Sequence, residues 1–336
     1  MILFPALETH KRIYGMEERI VATATMYEAE RELTHRLQNR LADTPDKPAL
    51  SNSRITTFLA CRQLYKWIYV EKLATKEKSI PLQVGDITHQ LLDLFFSHQL
   101  TTDIIGQLGP IVGKLYPDND EHLSADIAYQ AAKLFNTFVK KHNNEKMQIH
   151  SPEMHLEKDF GPFSLYARLD GLLLDENGGV WREEFKTTSR TDSAYLSGLR
   201  GGLQTGISIW LLDELFPFRV KGTCFDLLVK KTVSEALRSL APRQRWVVEF
   251  SKQTVHGVAR SIARGDFYPS MNCIRYNRPC EYMVLCQSDT PQNRSAFFTE
   301  RKEASDRVSI RDLIKQQFKD GVAKEIAAQQ SNQEES

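Results

Sequence analysis

No apolar run in this chain of 336 residues approaches the roughly 20 residues that span a bilayer. The opening Met-Ile-Leu-Phe-Pro lacks the apolar stretch of a secretory leader, so no membrane association and a cytoplasmic location are expected. Net charge is equally scarce. Lys and Arg number 44 against 43 Asp and Glu, a balance of +1, so any surface that tracks phosphates must be a local patch. No Gly-x4-Gly-Lys-(Ser/Thr) loop is present, which excludes a nucleotide-driven motor of that type within the chain. Internal repeats are absent as well. Cysteine is sparse, with five residues, but it is unevenly placed.

The chain divides by composition into three parts. Residues 1–48 read as an N-terminal helical arm, with Leu33, Leu37 and Leu41 at four-residue spacing, closed by a breaker-rich linker from Asp43 to Pro48. Residues 49–288 hold alternating strand and helix patterns and form the main domain. Within it Leu123, Ile127, Ala131, Leu134 and Phe138 mark one face of a helix that is expected to cover a sheet. Residues 289–336 read as a polar linker, then a helix striped by Ile310, Ile314, Phe318, Val322 and Ile326, then a disordered polar tail.

The most informative stretch is FSLYARLDGLLLDENGGVWREEFKTTSR, from Phe163 to Arg190. Apolar runs flank Asp-Glu-Asn-Gly-Gly, so the segment predicts a hairpin with Asn177 and Gly178 at positive φ. Register decides its meaning. A five-residue loop from Asp175 to Gly179 pairs Leu174 with Val180 and sets Asp170 opposite Glu184, with Lys186 on the same face. A two-residue turn at Asn177-Gly178 would pair Asp170 with Phe185 and scatter the three. Two carboxylates and a lysine on adjoining strands suit a divalent metal and a phosphate; the competing reading is a surface hairpin with ordinary charges. A carboxylate among Leu169, Leu172, Leu173 and Leu174 needs a partner or a metal.

The cysteines point to a second metal centre. Three cluster as Cys273-x6-Cys280-x5-Cys286, among Asn, Arg and Pro, and clustered thiols in a reducing compartment favour metal ligation over disulfides. A four-thiolate site needs one more ligand, for which Cys61 is the candidate, because Cys224 sits in the interior-strand pattern GTCFDLLV. A basic and aromatic group, Arg54, Arg62 and Lys66 with Tyr65, Trp67 and Tyr69, suits either strand contact or the covering of a sheet.

Taken in order, these pieces resemble the RecB-like branch of the PD-(D/E)XK nucleases, especially the iron-sulfur exonucleases typified by AddB-type subunits and the CRISPR-associated RecB-like nucleases. The pieces are Cys61 in LACRQLYKW, His89 in VGDITHQLLDLFF, Asp170 in ARLDG, Glu184-Phe185-Lys186-Thr187, Gln204 in GGLQTGISIWLL, and the late cysteine triplet. The likeness spans Ser51 to Cys286. Three positions depart from the pattern: Ala167 stands where glycine is usual, Ser208 where an aromatic follows the glutamine, and six residues separate Cys273 from Cys280 where two are usual.

The resemblance implies a restriction-endonuclease-like α/β core, a mixed central sheet flanked by helices, with its ends joined by a four-cysteine cluster. It implies Mg²⁺ or Mn²⁺ held by His89, Asp170, Glu184 and the backbone carbonyl of Phe185, with Lys186 and Gln204 completing the catalytic set. A [4Fe-4S] cluster on Cys61, Cys273, Cys280 and Cys286 is the second implied cofactor, zinc being the alternative. The implied function is a metal-dependent exonuclease acting on single-stranded DNA or DNA ends, working beside a separate helicase or recombination protein. The rival is a non-catalytic DNA-binding or assembly subunit of the same fold. For His89 the competing role is an ordinary core histidine, and for Gln204 a helix-surface residue.

Overall fold

The computed structural model describes residues 47–76, 79–142, 148–231, 233–271, 273–275, 278–301, 308–314 and 316. In chain order the first elements are β1 (Ala49–Leu50), α1 (Asn52–Ala60), α2 (Arg62–Tyr65), a π-helical turn (Lys66–Val70), β2 (Leu73–Thr75) and α3 (Ile80–Phe96). Then come α4 (Thr102–Gly106), α5 (Leu108–Leu115), α6 (Glu121–His142), β3 (Gln148–Ser151), β4 (Met154–Asp159), β5 (Ser164–Leu169), β6 (Gly171–Leu174) and β7 (Val180–Thr188). The last are α7 (Ser193–Arg200), α8 (Leu203–Leu215), β8 (Gly222–Val229), β9 (Glu235–Pro242), α9 (Arg245–Ala263), β10 (Ile274–Arg275), β11 (Arg278–Pro279), α10 (Met283–Gln287), α11 (Pro291–Phe297) and β12 (Phe298–Glu300).

Two compact units share the chain, and the described residues fall within Met1–Lys76 with Asn136–Arg301, or within Glu77–Phe135 with Lys302–Ser336. The first unit contains the sheets. Its main sheet has the order β3-β6-β7-β8-β9, with β7 and β8 parallel and the other neighbours antiparallel. All eight residues of β8, GTCFDLLV, are buried, as expected for a central strand covered on both faces. A second sheet has the order β1-β5-β4, with β1 parallel to β5. Between β5 and β6 only Asp170 intervenes, so the chain passes from one sheet to the other at that residue.

Helix α8 reads LQTGISIWLLDEL and has no polar stripe, which requires it to be buried on all sides. Ile207, Ile209, Trp210, Leu211 and Leu212 are all buried in one core with Leu156, Leu165, Leu169 and Leu172 from the sheets and Val248, Val255 and Val258 from α9. Each such side chain contributes on the order of 2 kcal/mol by leaving water. Gly206 permits the close crossing of α8 and α9: a Cβ there would lie 2.6 Å from the Val247 carbonyl oxygen. The expected α6 stripe is present, with Ile127, Ala131, Leu134 and Phe138 buried, and Phe138 meets Phe185 edge-on at 5.3 Å.

The second unit is helical and centred on α3, whose Ile87, Leu91 and Leu94 are buried. Of the C-terminal stripe, Ile310 is buried, and its N–H donates to Gln90 Oε1 at 2.7 Å while Arg311 pairs with Asp93 at 2.7 Å. Phe318, Val322 and Ile326 lie outside the described residues, as does nearly all of the 1–48 arm. The segment expected to be a polar linker from 289 carries α11 and β12 instead, and β12 pairs antiparallel with β2. No helix among the described residues is long and apolar enough to cross a membrane.

Candidate active site

Asp175 builds the hairpin loop. Its carboxylate accepts hydrogen bonds from the N–H groups of Asn177 (3.0 Å) and Gly179 (2.8 Å), from Trp181 Nε1 (2.9 Å) and from Lys221 Nζ (2.8 Å). Asp175 N–H donates to the Gly179 carbonyl at 3.0 Å, which closes a five-residue loop. Only Gly178 in the loop adopts positive φ, at 73°; Asn177, also expected there, does not, because one left-handed residue suffices in this longer loop. Lys221 first, then Trp181, holds the Asp175 carboxyl well below the usual carboxylate range.

The register that follows is Leu174 with Val180, Leu173 with Trp181, Leu172 with Arg182 and Gly171 with Glu183. The ladder ends there, and the next residues on either side are Asp170, just outside β6, and Glu184. Gly171 is required beside the aspartate, because a Cβ there would lie 2.7 Å from the Ser151 carbonyl oxygen of β3. Asp170 Oδ2 accepts the Phe185 N–H at 2.8 Å, which ties its carboxylate to the strand bearing Glu184.

Alternation along β7 puts Arg182, Glu184 and Lys186 on one face. Lys186 Nζ contacts Glu184 Oε1 and donates to Gln204 Oε1 at 3.0 Å, and Gln204 Nε2 donates to the same Glu184 oxygen at 2.7 Å. Gln204 reaches the sheet from the first turn of α8. Burial pulls the Lys186 ammonium below its ordinary value, against the attraction of Asp170. Arg182, 0 % exposed, pairs with Glu184 Oε2 and donates to Thr223 Oγ1 at 3.4 Å. Burial lowers its guanidinium to about 10, while Asp170 and Glu183 act to raise it. Sequence reasoning passed over Arg182, although the two-residue spacing to Glu184 in WREEFK already placed both on one face.

The family model of the PD-(D/E)XK nuclease superfamily matches residues 49–287. The chain belongs to this superfamily. Among solved structures, it is similar to a protein of Eubacterium rectale described as a candidate exonuclease, at 12% identity and TM-score 0.44, over 82% of this chain and 96% of that one. It is also similar to a protein named SSO0001, at 16% identity and TM-score 0.29, over 63% and 97% respectively. No curated protein sequence matches.

In this nuclease chain, two positions that depart from the usual pattern lie on elements packed into the main core. Ser208 is 2 % exposed within α8, and Ala167 is half-buried at the edge of the core that α8 packs into. His89 is half-buried on α3 of the second unit. The basic and aromatic group near α1 is largely structural: Arg54 is buried beneath Tyr69 and donates to the Ala49 carbonyl at 3.0 Å, and Tyr65 and Trp67 are buried.

The opposite face of the main sheet carries a second polar group that sequence reasoning did not anticipate. Ligand atoms of Glu183, Cys224 and Asp226, all buried, lie within 4.8 Å of one another, a grouping that can hold a metal. Arg238 takes both oxygens of Asp226, with Nε at 2.8 Å. Burial, then Asp226, drives the Glu183 carboxyl well above its ordinary value, and burial raises the Cys224 thiol strongly. Glu183 faces the Cys224 thiol and the Asp226 carboxylate, which fits a carboxyl that keeps its own proton against Asp226. The signal for it was Asp226 inside the otherwise apolar CFDLLV.

The late cysteines lie near the start of the domain. β10 and β11 pair antiparallel, and Cys280 N–H donates to the Cys273 carbonyl at 2.6 Å, which brings the two cysteines side by side. Cys61 lies between α1 and α2, not within a helix, and its Sγ accepts the Leu64 N–H at 3.5 Å. Burial pushes its thiol up, but the N–H groups of Leu64, Ser270 and Gln63 and the Ser270 side chain outweigh that and leave it below its ordinary value. Burial raises the Cys280 thiol, and Cys286, Cys61 and Cys273 all add to that rise. Among the described residues no three cysteine sulfurs lie within 4.8 Å of one another. Cys61 and Cys280 flank an apolar cluster of Leu64, Trp67, Tyr282, Leu285 and Phe298, and with the pairing of β2 and β12 it joins the two ends of the domain. The joining is therefore made by apolar packing and strand pairing, without a four-cysteine cluster being shown.

Proposed function

We propose that this chain is a metal-dependent DNA nuclease, acting as an exonuclease on single strands or DNA ends. The observation that carries this reading is the direct linking of Glu184, Lys186 and Gln204, with the Asp170 carboxylate hydrogen-bonded to Phe185, the residue between Glu184 and Lys186. Their oxygen donors, two carboxylates and the backbone carbonyl between Glu184 and Lys186, are of the kind a hard divalent ion takes. Asp170, Glu184 and the Phe185 carbonyl would hold Mg²⁺ or Mn²⁺. Such an ion supplies a nucleophilic water near neutral pH and Lewis acidity toward the phosphoryl oxygens.

The chain's own residues account for the rest. Lys186, partly desolvated, orients the attacking water and donates to charge growing on the phosphoryl group. Gln204 fixes Lys186 and Glu184 relative to each other, so neither must be ordered during the reaction.

We place a [4Fe-4S] cluster on Cys61, Cys273, Cys280 and Cys286. The Cys280 thiol, raised first by burial and then by Cys286, Cys61 and Cys273, supports the grouping, and zinc is the alternative metal. Its role is to staple the domain ends. A separate helicase or recombination protein would deliver the strand. The test is incubation of anaerobically purified protein with end-labelled single- and double-stranded DNA, with Mn²⁺ and with chelator. Mononucleotide or short-oligonucleotide release only with metal is expected; intact DNA under both conditions would refute the reading.

A further inference from the structure

Glu184 has no free carboxylate oxygen. Lys186 and Gln204 occupy Oε1, and Arg182 occupies Oε2. Arg182 is sealed in the sheet, 0 % exposed, on the Glu184 face and beside Thr223 of β8, so it cannot swing away to solvent as a surface side chain would. The local formal charge is also closed. Asp170 and Glu184 contribute two negative charges, and Arg182 and Lys186 contribute two positive ones.

A divalent ion entering such a site meets no net attraction and leaves a buried excess of positive charge, which is costly in a poorly solvated place. A nucleic-acid phosphate arriving with the ion supplies the missing negative charge. Building on the nuclease reading above, we propose that Arg182 is a positioning residue that holds Glu184 in a closed ion pair and thereby couples capture of the divalent ion to capture of a phosphodiester. The free protein then binds the ion weakly, and a seated strand tightens it. Linkage requires the ion to tighten the strand by the same factor.

The experiment is titration of the full chain with Mn²⁺, followed by the electron paramagnetic resonance of free Mn²⁺, with and without a cleavage-resistant phosphorothioate oligonucleotide whose own Mn²⁺ binding is subtracted. In the wild type the oligonucleotide is expected to tighten Mn²⁺ binding about tenfold or more, within the usual range of site-to-site coupling. Arg182→Met, checked for folding by its thermal melt, should bind Mn²⁺ more tightly than wild type without DNA and lose most of the oligonucleotide effect. Arg182→Lys, which keeps the cation, should retain that effect and serves if the methionine variant does not fold. Mn²⁺ binding that depends on Asp170, tested with Asp170→Asn, but is indifferent to the oligonucleotide would overturn this inference and leave the nuclease site standing. Binding indifferent to Asp170→Asn would overturn both.

Discussion

The carboxylate of Asp170 accepts a hydrogen bond from the backbone N–H of Phe185 at 2.8 Å, so the acid between β5 and β6 is anchored to β7 next to Glu184. The two acids are thereby held as a pair whose chemistry is separable from strand binding. Asp170→Ala and Glu184→Ala should each abolish cleavage while leaving DNA affinity, measured without divalent ion, within a few-fold of wild type, since phosphate contacts that position DNA lie elsewhere. Cleavage assays alongside filter binding check both halves.

Lys186 and Gln204 form one unit around Glu184 Oε1. Lys186→Ala should lower kcat about a hundredfold or more, the usual cost of one lost transition-state donor. Gln204→Ala should lower kcat by about tenfold, reflecting loss of hydrogen bonds to charged partners, with KM little changed. Steady-state kinetics distinguishes this from a strand-binding role, which would raise KM.

Asp175 makes the five-residue loop, and its low carboxyl pKa gives that role a pH signature. Because the folded value lies below the unfolded one, its contribution to stability is complete above the ordinary carboxylate range and is lost as pH falls through the folded value. The stability difference between wild type and Asp175→Asn should be constant from pH 7 to about pH 4 and narrow below it. Urea unfolding across that range measures the difference. A gap that widens on acidification would contradict the role given to Asp175.

The thiol assignment separates Cys61 from Cys224. Cys61→Ser in anaerobically purified protein should lower iron content and melting temperature together, whereas Cys224→Ser should leave iron unchanged, because Cys224 stands with Glu183 and Asp226 in the main sheet. Iron analysis and thermal melts report on each. Zinc in place of iron in the wild type would redirect the assignment to the alternative metal.

The hairpin and its polar face were legible because a period of two, one loop and a run of leucines define them with little help from distant residues. WREEFK carries both faces of β7 in six letters. What stayed hidden depends on contacts across the fold. Arg182 looks like an ordinary surface charge until Thr223 and Glu184 are seen to enclose it, and Asp226 reveals its partner only once β9 brings Arg238 alongside. The segment after Cys286 misled because its polar composition hides Phe298, whose pairing partner in β2 lies more than two hundred residues earlier.

In the proposed site Asp170 and Glu184 share a divalent ion on the Lys186 face of the sheet. Anomalous diffraction at the manganese edge, from crystals grown with Mn²⁺ and a cleavage-resistant oligonucleotide, tests it most directly. The account predicts a peak between the Asp170 and Glu184 carboxylates. A peak on the opposite face, among Glu183, Cys224 and Asp226, or no peak at either place, would contradict it.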